Sequence, residues 1–186
     1  MKYYDCFIDE ITFPNRWYLG KVYDFDNWMF DMRPREVSLH SPQRMKLVQD
    51  GVEMDYTLAS PYGVSVVSQT IKSLLQDIPD VAFMPLTIEG KHTSKSYFAL
   101  VVYPHLKCVD ETKSDFKKFM PDDPVRPDRA GDYNGFFKLV IDPLRVEGHD
   151  IFRIARSGSQ LIISQKIKDR FDAAGVTGVV YKPVTD

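Results

Sequence analysis

The residues that could act as nucleophiles, bases or metal ligands are few in this chain, and their spacing is poor. Cys108 lies in "HLKCVDE", three residues after His105. A cysteine–histidine pair performs nucleophilic catalysis only when the two touch and a third group orients the base. On an extended segment, residues three apart face opposite ways, so this spacing argues against it. None of His40, His92, His105 and His149 lies four residues from another, or has a cysteine or carboxylate at a metal-ligand spacing. His149 and Asp150 are adjacent, but neighbours on a strand point to opposite faces. "ARSGSQ" at 155–160 is small and polar enough to cradle an anion at a helix start. Leu161 to Ile163 separate it from the next helix cap, so a plain turn is expected. No GxSxG elbow, Walker loop or GxGxxG is present. The expectation is no catalytic residue, no metal ligand and no cofactor.

Two stretches are better suited to recognition. "YDFDNWMFD" at 23–31 interleaves Asp24, Asp26 and Asp31 with Tyr23, Phe25, Trp28, Met29 and Phe30. Aromatics with an acidic rim suit an interface with a basic partner; the alternative is that the aromatics are core and the aspartates are loop charges. "MPDDPVRPDRAGD" at 120–132 carries Asp122, Asp123, Arg126 and Asp128 in a long loop. Such loops in compact domains are functional or disordered.

The elements that must position these stretches are marked by caps and periodicity. Ser68 precedes Ile71, Leu74, Leu75 and Ile78, an i, i+3, i+4, i+7 stripe that Pro79 ends. Ser164 opens a second helix in "LIISQKIKDRFDAAGVTGVVYKPV". Ser68, Gln69, Ile71 and Lys72 match Ser164, Gln165, Ile167 and Lys168 at a constant offset, and each helix is followed by a turn, a strand and a proline, Pro85 or Pro183. This echo reads either as ordinary capping chemistry or as two copies of one supersecondary unit. In both cases a short helix must lay its stripe on a sheet. "VAFMPLTI", "SYFALVVY", "GFFKLVI" and "DIFRIA" read as strands. Residues 110–134, charged and broken by proline and glycine, read as a short helix at most and then an exposed loop.

With 186 residues, the chain can bury a substantial core without staples, as one domain over 1–186 or as two lobes divided near 105–135. A net charge of −2 supplies no basic field for nucleic acid or an anionic membrane. Cys6 and Cys108 form no CxxC pair and read as reduced cytosolic thiols. No signal peptide and no apolar run of about 20 residues is seen, so a cytoplasmic protein is expected.

"RWYLG", "KCVDETKSDF" and above all "DIFRIA…LIISQKIKDRFDAAGVTGVVYKPV" resemble the eleventh family of bacterial polymorphic-toxin immunity proteins. The resemblance implies a small bacterial protein that binds and neutralises a cognate toxin, encoded beside it, by stoichiometric complex formation. Such a protein needs a stable scaffold and a complementary surface, and no active site. The fold expected is α+β, a mixed or antiparallel sheet with a few short helices and a duplicated helix–strand unit as an option. The rival readings are an enzyme whose site is assembled around Cys108, His105 or His149, and a structural adaptor. The expected partner-binding residues are Asp24, Asp26, Trp28, Asp31, Asp122, Asp123, Arg126 and Asp128.

Overall fold

The computed structural model describes residues 1–158 and 160–185. The described elements, in chain order, are β1 (Tyr3–Ile8), β2 (Tyr18–Val22), α1 (Met29–Met32), β3 (Gln43–Gln49), β4 (Tyr56–Ala59), β5 (Val64–Ser68), α2 (Gln69–Leu74), β6 (Val81–Ile88), β7 (Tyr97–Val102), β8 (His105–Leu106), β9 (Asp115–Lys118), β10 (Tyr133–Lys138), β11 (Ile151–Ile154), β12 (Leu161–Ser164), α3 (Gln165–Ala173) and β13 (Val179–Pro183). The fold is α+β, with short helices on mixed and antiparallel sheets, as the sequence leads one to expect.

One sheet has six strands in the order β2-β3-β6-β7-β5-β4. Its two edges approach each other, and the Ser60 N–H donates to the Leu19 carbonyl at 3.0 Å, so the sheet nearly closes into a barrel. The barrel is filled by Trp17, Leu19, Met45, Met84, Ala99 and Val101, all 2% exposed or less. Trp17 has one polar side-chain atom: its indole N–H donates to Thr57 Oγ1 at 2.9 Å, which offsets the cost of burying a polar group. A five-stranded sheet, β13-β1-β12-β11-β8, packs beside it. Its outer face is covered by Cys108, Leu139, Ile141 and Val146, from the segment between β8 and β11.

The helix–strand echo is a spatial relationship. Ser68 N–H donates to the Asp55 carbonyl at 2.9 Å, and Ser164 N–H donates to the Asp150 carbonyl at 2.8 Å. Both serine hydroxyls donate to the Oδ1 of the same aspartates, at 2.6 and 2.7 Å. Both also cap their helices, accepting from Thr70 N–H and Ile167 N–H. Lys95 and Lys166 then pair with the two carboxylates at 2.8 and 2.6 Å. Ser68 sits opposite Tyr97 on β7, and Ser164 opposite Tyr3 on β1; Pro85 pairs with Phe98, and Pro183 with Tyr4. The elements β4, β5, α2, β6 and β7 thus correspond to β11, β12, α3, β13 and β1, with the last strand of the second unit supplied by residues 3–8. Ile71, Leu75, Ile167 and Phe171 lay their stripes into the core between the two sheets, none more than 4% exposed.

Two local expectations differ from what forms. The α2 helix stops at Leu74, well short of Pro79; Leu75 and Ile78 remain buried through a turn in which Ile78 N–H donates to Leu75 O. Residues 110–134 hold no α-helix, and β9 pairs antiparallel with β10 as a two-stranded ribbon. Phe116, Tyr133 and Phe136 stack on one face of it, Phe116 and Tyr133 at 5.3 Å and Tyr133 and Phe136 at 4.7 Å. Cross-strand aromatic pairs of this kind override a charged local sequence.

Buried Arg16 joins distant parts of the chain. Its guanidinium donates to the carbonyls of Asp9, Gly178 and Tyr56 and to Thr57 Oγ1, at 2.9–3.2 Å. Gly178 has φ +87°, and a Cβ there would stand 2.5 Å from the Tyr56 carbonyl oxygen, so only glycine fits.

Candidate functional site

The 23–32 segment is shaped by Asn27, which is buried. Its side chain accepts from Val22 N–H at 2.8 Å and donates to the carbonyls of Val22 and Phe25 at 2.8 and 2.9 Å, closing a tight loop after β2. Phe30 drops into the barrel and packs on Phe25 at 5.2 Å. Burying Phe30 leaves Trp28 and Met32 at the surface, 37% and 72% exposed. Trp28 meets Tyr62 edge-on at 5.1 Å.

The 119–132 segment leaves the β9–β10 ribbon as a strap. Its base is tied by Phe119 N–H to Asp132 O and by Gly131 N–H to Phe119 O, both at 2.9 Å. Asp123 folds its tip by accepting from the N–H groups of Val125 and Arg126, and these bonds hold its carboxyl below the ordinary range. Arg126 grips Asp128 with two bonds, at 3.0 and 2.8 Å, which lowers the carboxyl of Asp128. Asp132 accepts from Arg129 at 3.2 Å and from Arg156 at 2.6 Å.

The strap lies against the 23–32 segment. The Arg126 guanidinium is 5.4 Å from the centre of the Trp28 ring. Between the two segments is a cleft of about 380 Å³, lined by Trp28, Asp31, His105, Arg126, Asp128 and Arg156 among others. On the other side of Trp28 lies a second recess of about 460 Å³, mostly apolar, where Ile8, Leu58, Tyr62, Phe119 and Tyr133 contribute.

Four of the eight residues singled out in the sequence, Trp28, Asp31, Arg126 and Asp128, therefore line one cleft. Asp123 shapes the strap, and Asp122 is exposed on it. Asp24 and Asp26 are turned to other partners: Arg44 at 3.3 Å and Arg33 at 3.6 Å. Most acidic groups here are paired with arginines of the same chain, so the surface is close to charge-balanced. Sequence reasoning left Tyr62, Arg129, Asp132 and Arg156 out of the surface and named His105 only for a catalytic pair. Arg129 and Asp132 stood inside the quoted loop and Arg156 inside "ARSGSQ"; nothing local marked Tyr62.

Cys108 is 0% exposed, in the core under the five-stranded sheet, and burial pushes its thiol up to about 12, with Asp142 adding to the shift. A thiol in that state supplies no thiolate near neutral pH. His105 faces Asp31, with 3.6 Å between Nε2 and Oδ1, and His149 Nδ1 lies 2.8 Å from Asp80 Oδ2. Among the described residues no group of three or more histidines, cysteines or carboxylates is arranged to hold a metal, and no helix is long and apolar enough to cross a membrane. Of "ARSGSQ", residues 155–158 form a turn; Ser159 lies outside the described residues.

Filled cores, with recesses on either side of Trp28 lined by aromatic and mutually paired charged side chains, make up a scaffold of α+β class. The chain belongs to the immunity protein family Imm11, whose profile matches residues 13–186, nearly its full length. No curated protein matches it.

Proposed function

We propose that this protein neutralises a cognate bacterial toxin by binding it in a stoichiometric complex, without catalysis, and that the surface around Trp28 and Arg126 makes the contact. Family membership supports the immunity role. The observation that carries the choice of surface is the meeting of the 23–32 and 119–132 segments at Trp28 and Arg126, with 5.4 Å between ring and guanidinium. Tryptophan and arginine are the residues that most often dominate binding energy at interface centres. Exposed Met32, Met120 and Val125 add apolar area on the same two segments. Asp31 and Asp128 sit at the cleft, and Asp122 and Asp123 of the strap form an outer rim that guides a basic partner, to which Asp24 and Asp26, each paired with an arginine, add little net charge. The test is co-purification with the toxin encoded beside it. A one-to-one complex that Trp28→Ala weakens, with the fold intact, supports the reading. A complex insensitive to both Trp28→Ala and Arg126→Ala removes this surface from it.

A further inference from the structure

Three carboxylates line the cleft beside Trp28, and two of them are taken. Arg126 grips Asp128, and Arg129 and Arg156 share Asp132. The arginines have further ties. Arg126 lies over the Trp28 ring, Arg129 over the Phe119 ring at 5.1 Å, and Arg156 donates to the Ala130 carbonyl at 2.9 Å. Asp31 is the one carboxylate of the cleft with no arginine or lysine bound to it among the described residues. His105 Nε2 is 3.6 Å from its Oδ1, beyond hydrogen-bond reach. Buried Arg153 acts on it through space alone, since its one side-chain bond runs from Nη2 to Ser65 Oγ. The carboxylate is also held in position. Asp31 stands one helical turn from Trp28, its N–H bonded to the Trp28 carbonyl at 3.1 Å. The turn after β11 approaches the other oxygen at Gly158, where φ is +86° and an added Cβ would stand 3.0 Å from Oδ2.

We propose that the cleft receives one basic side chain of the toxin, an arginine or a lysine, whose head group pairs with Asp31 while its stem lies along Trp28 and Met32. This rests on the interface reading above and names what enters. The Asp31 side chain is only 22% exposed, so in the free protein it has given up most of its water without gaining a counter-charge. A cation supplies that charge on binding. Arginine and lysine also carry apolar stems that cover apolar surface, which Trp28 and Met32 offer at 37% and 72% exposure. An acidic side chain gains less, because each arginine of the cleft already holds a carboxylate of its own chain. Three arginines and three aspartates line the cleft, so the attraction is short-range and centred on Asp31, not a field of the whole recess.

Titration of the full chain with N-acetyl-arginine amide and N-acetyl-lysine amide, followed by the indole N–H resonances, tests this. Trp17 is 0% exposed with its N–H bonded to Thr57, so the Trp28 signal is the one that should move. At least one of the two cations should shift it saturably. N-acetyl-citrulline amide, which has the shape of arginine without the charge, should bind about tenfold more weakly or worse than the arginine compound. Asp31→Asn keeps the shape of the wall and should erase that preference. It should also weaken toxin binding about tenfold or more with the melting temperature unchanged. No saturable shift with either cation, equal binding of the arginine and citrulline compounds, or a preference that survives Asp31→Asn overturns the proposal. An unchanged toxin affinity in Asp31→Asn overturns it too, and Trp28→Ala then separates the two readings. If Trp28→Ala still weakens the complex, the interface stands without a basic guest; if it does not, the surface fails as well.

Discussion

The guanidinium of Arg126 lies 5.4 Å from the centre of the Trp28 ring, and the Asp128 carboxylate holds that guanidinium with two hydrogen bonds. An arginine locked in this way is pre-organised, so a partner meeting the pair loses little side-chain entropy on binding. Trp28→Ala should weaken toxin binding by more than about 2 kcal/mol and leave the melting temperature close to that of the parent. Calorimetric titration against the toxin, beside a thermal melt, reads both quantities. A collapse of the melting temperature would place Trp28 in the scaffold instead.

Phe171 lies in the core between the two sheets with Ile71, Leu75 and Ile167. Phe171→Ala should cost roughly 3–5 kcal/mol, the range for emptying a large core site. Chemical denaturation measures it, and a variant as stable as the parent would contradict the packing described.

Asp5 is 3% exposed, and burial raises its carboxyl to about 8, against weaker lowering by Cys6 N–H, Lys182 and Arg153. The folded state keeps this proton where the unfolded state has lost it. Stability from Asp5 is thus complete below the ordinary carboxyl value of about 4 and declines as pH rises toward 8. Asp5→Asn should stabilise the protein by a few kcal/mol near pH 7, and the gain should vanish near pH 4. Denaturation curves at the two pH values decide it; a pH-independent difference would mean the carboxyl is already ionised in the fold.

Asp55 is 4% exposed and accepts from Ser68, Lys95 and both the N–H and the hydroxyl of Thr177. Burial works to raise its carboxyl, and these bonds outweigh it, so the net shift is downward. Its contribution is present above about pH 4 and lost as acid protonates it. Asp55→Ala leaves buried Ser68 and half-buried Thr177 without their acceptor and should cost about 1–3 kcal/mol. A loss under about 1 kcal/mol would show that solvent replaces the carboxylate.

Cys108 lies away from the cleft with its thiol pushed up to about 12. Cys108→Ala should leave protection against the toxin unchanged, with a small loss of stability for the vacated volume. Loss of protection in a folded variant would revive the catalytic reading, and survival counts of toxin-challenged cells would show it.

What could be read from the sequence was local. Ser68 and Ser164, with the stripes that follow them, announce their helices because capping and periodicity act within a few residues. The Phe116–Tyr133–Phe136 face was hidden because three of the four residues of the ribbon's first strand, Asp115, Lys117 and Lys118, are charged and the partners of Phe116 come from another strand. Trp28 and Arg126 could each be singled out, but their meeting depends on how the barrel mouth and the ribbon are set against each other, which no local pattern encodes. Asp24 and Asp26 looked like part of one acidic surface with Asp31. Arg44 and Arg33, remote from that stretch or beyond its end, draw them elsewhere.

Among the described strands β1 is made before the rest, and its partners β12 and β13 come last. Tyr3 pairs with Ser164, and Ile8 with Val179. On a ribosome adding about 5–20 residues per second, the opening strand waits on the order of ten seconds or more for its neighbours to be synthesised. During that interval the barrel can close, because all six of its strands precede residue 103. The second sheet cannot, and Phe7, Cys6 and the backbone edge of β1 stay open to any passing strand. Final closure thus waits for the synthesis of β12 and β13, and a nascent chain stalled before β12 would carry a finished barrel and an unfinished, adhesive half.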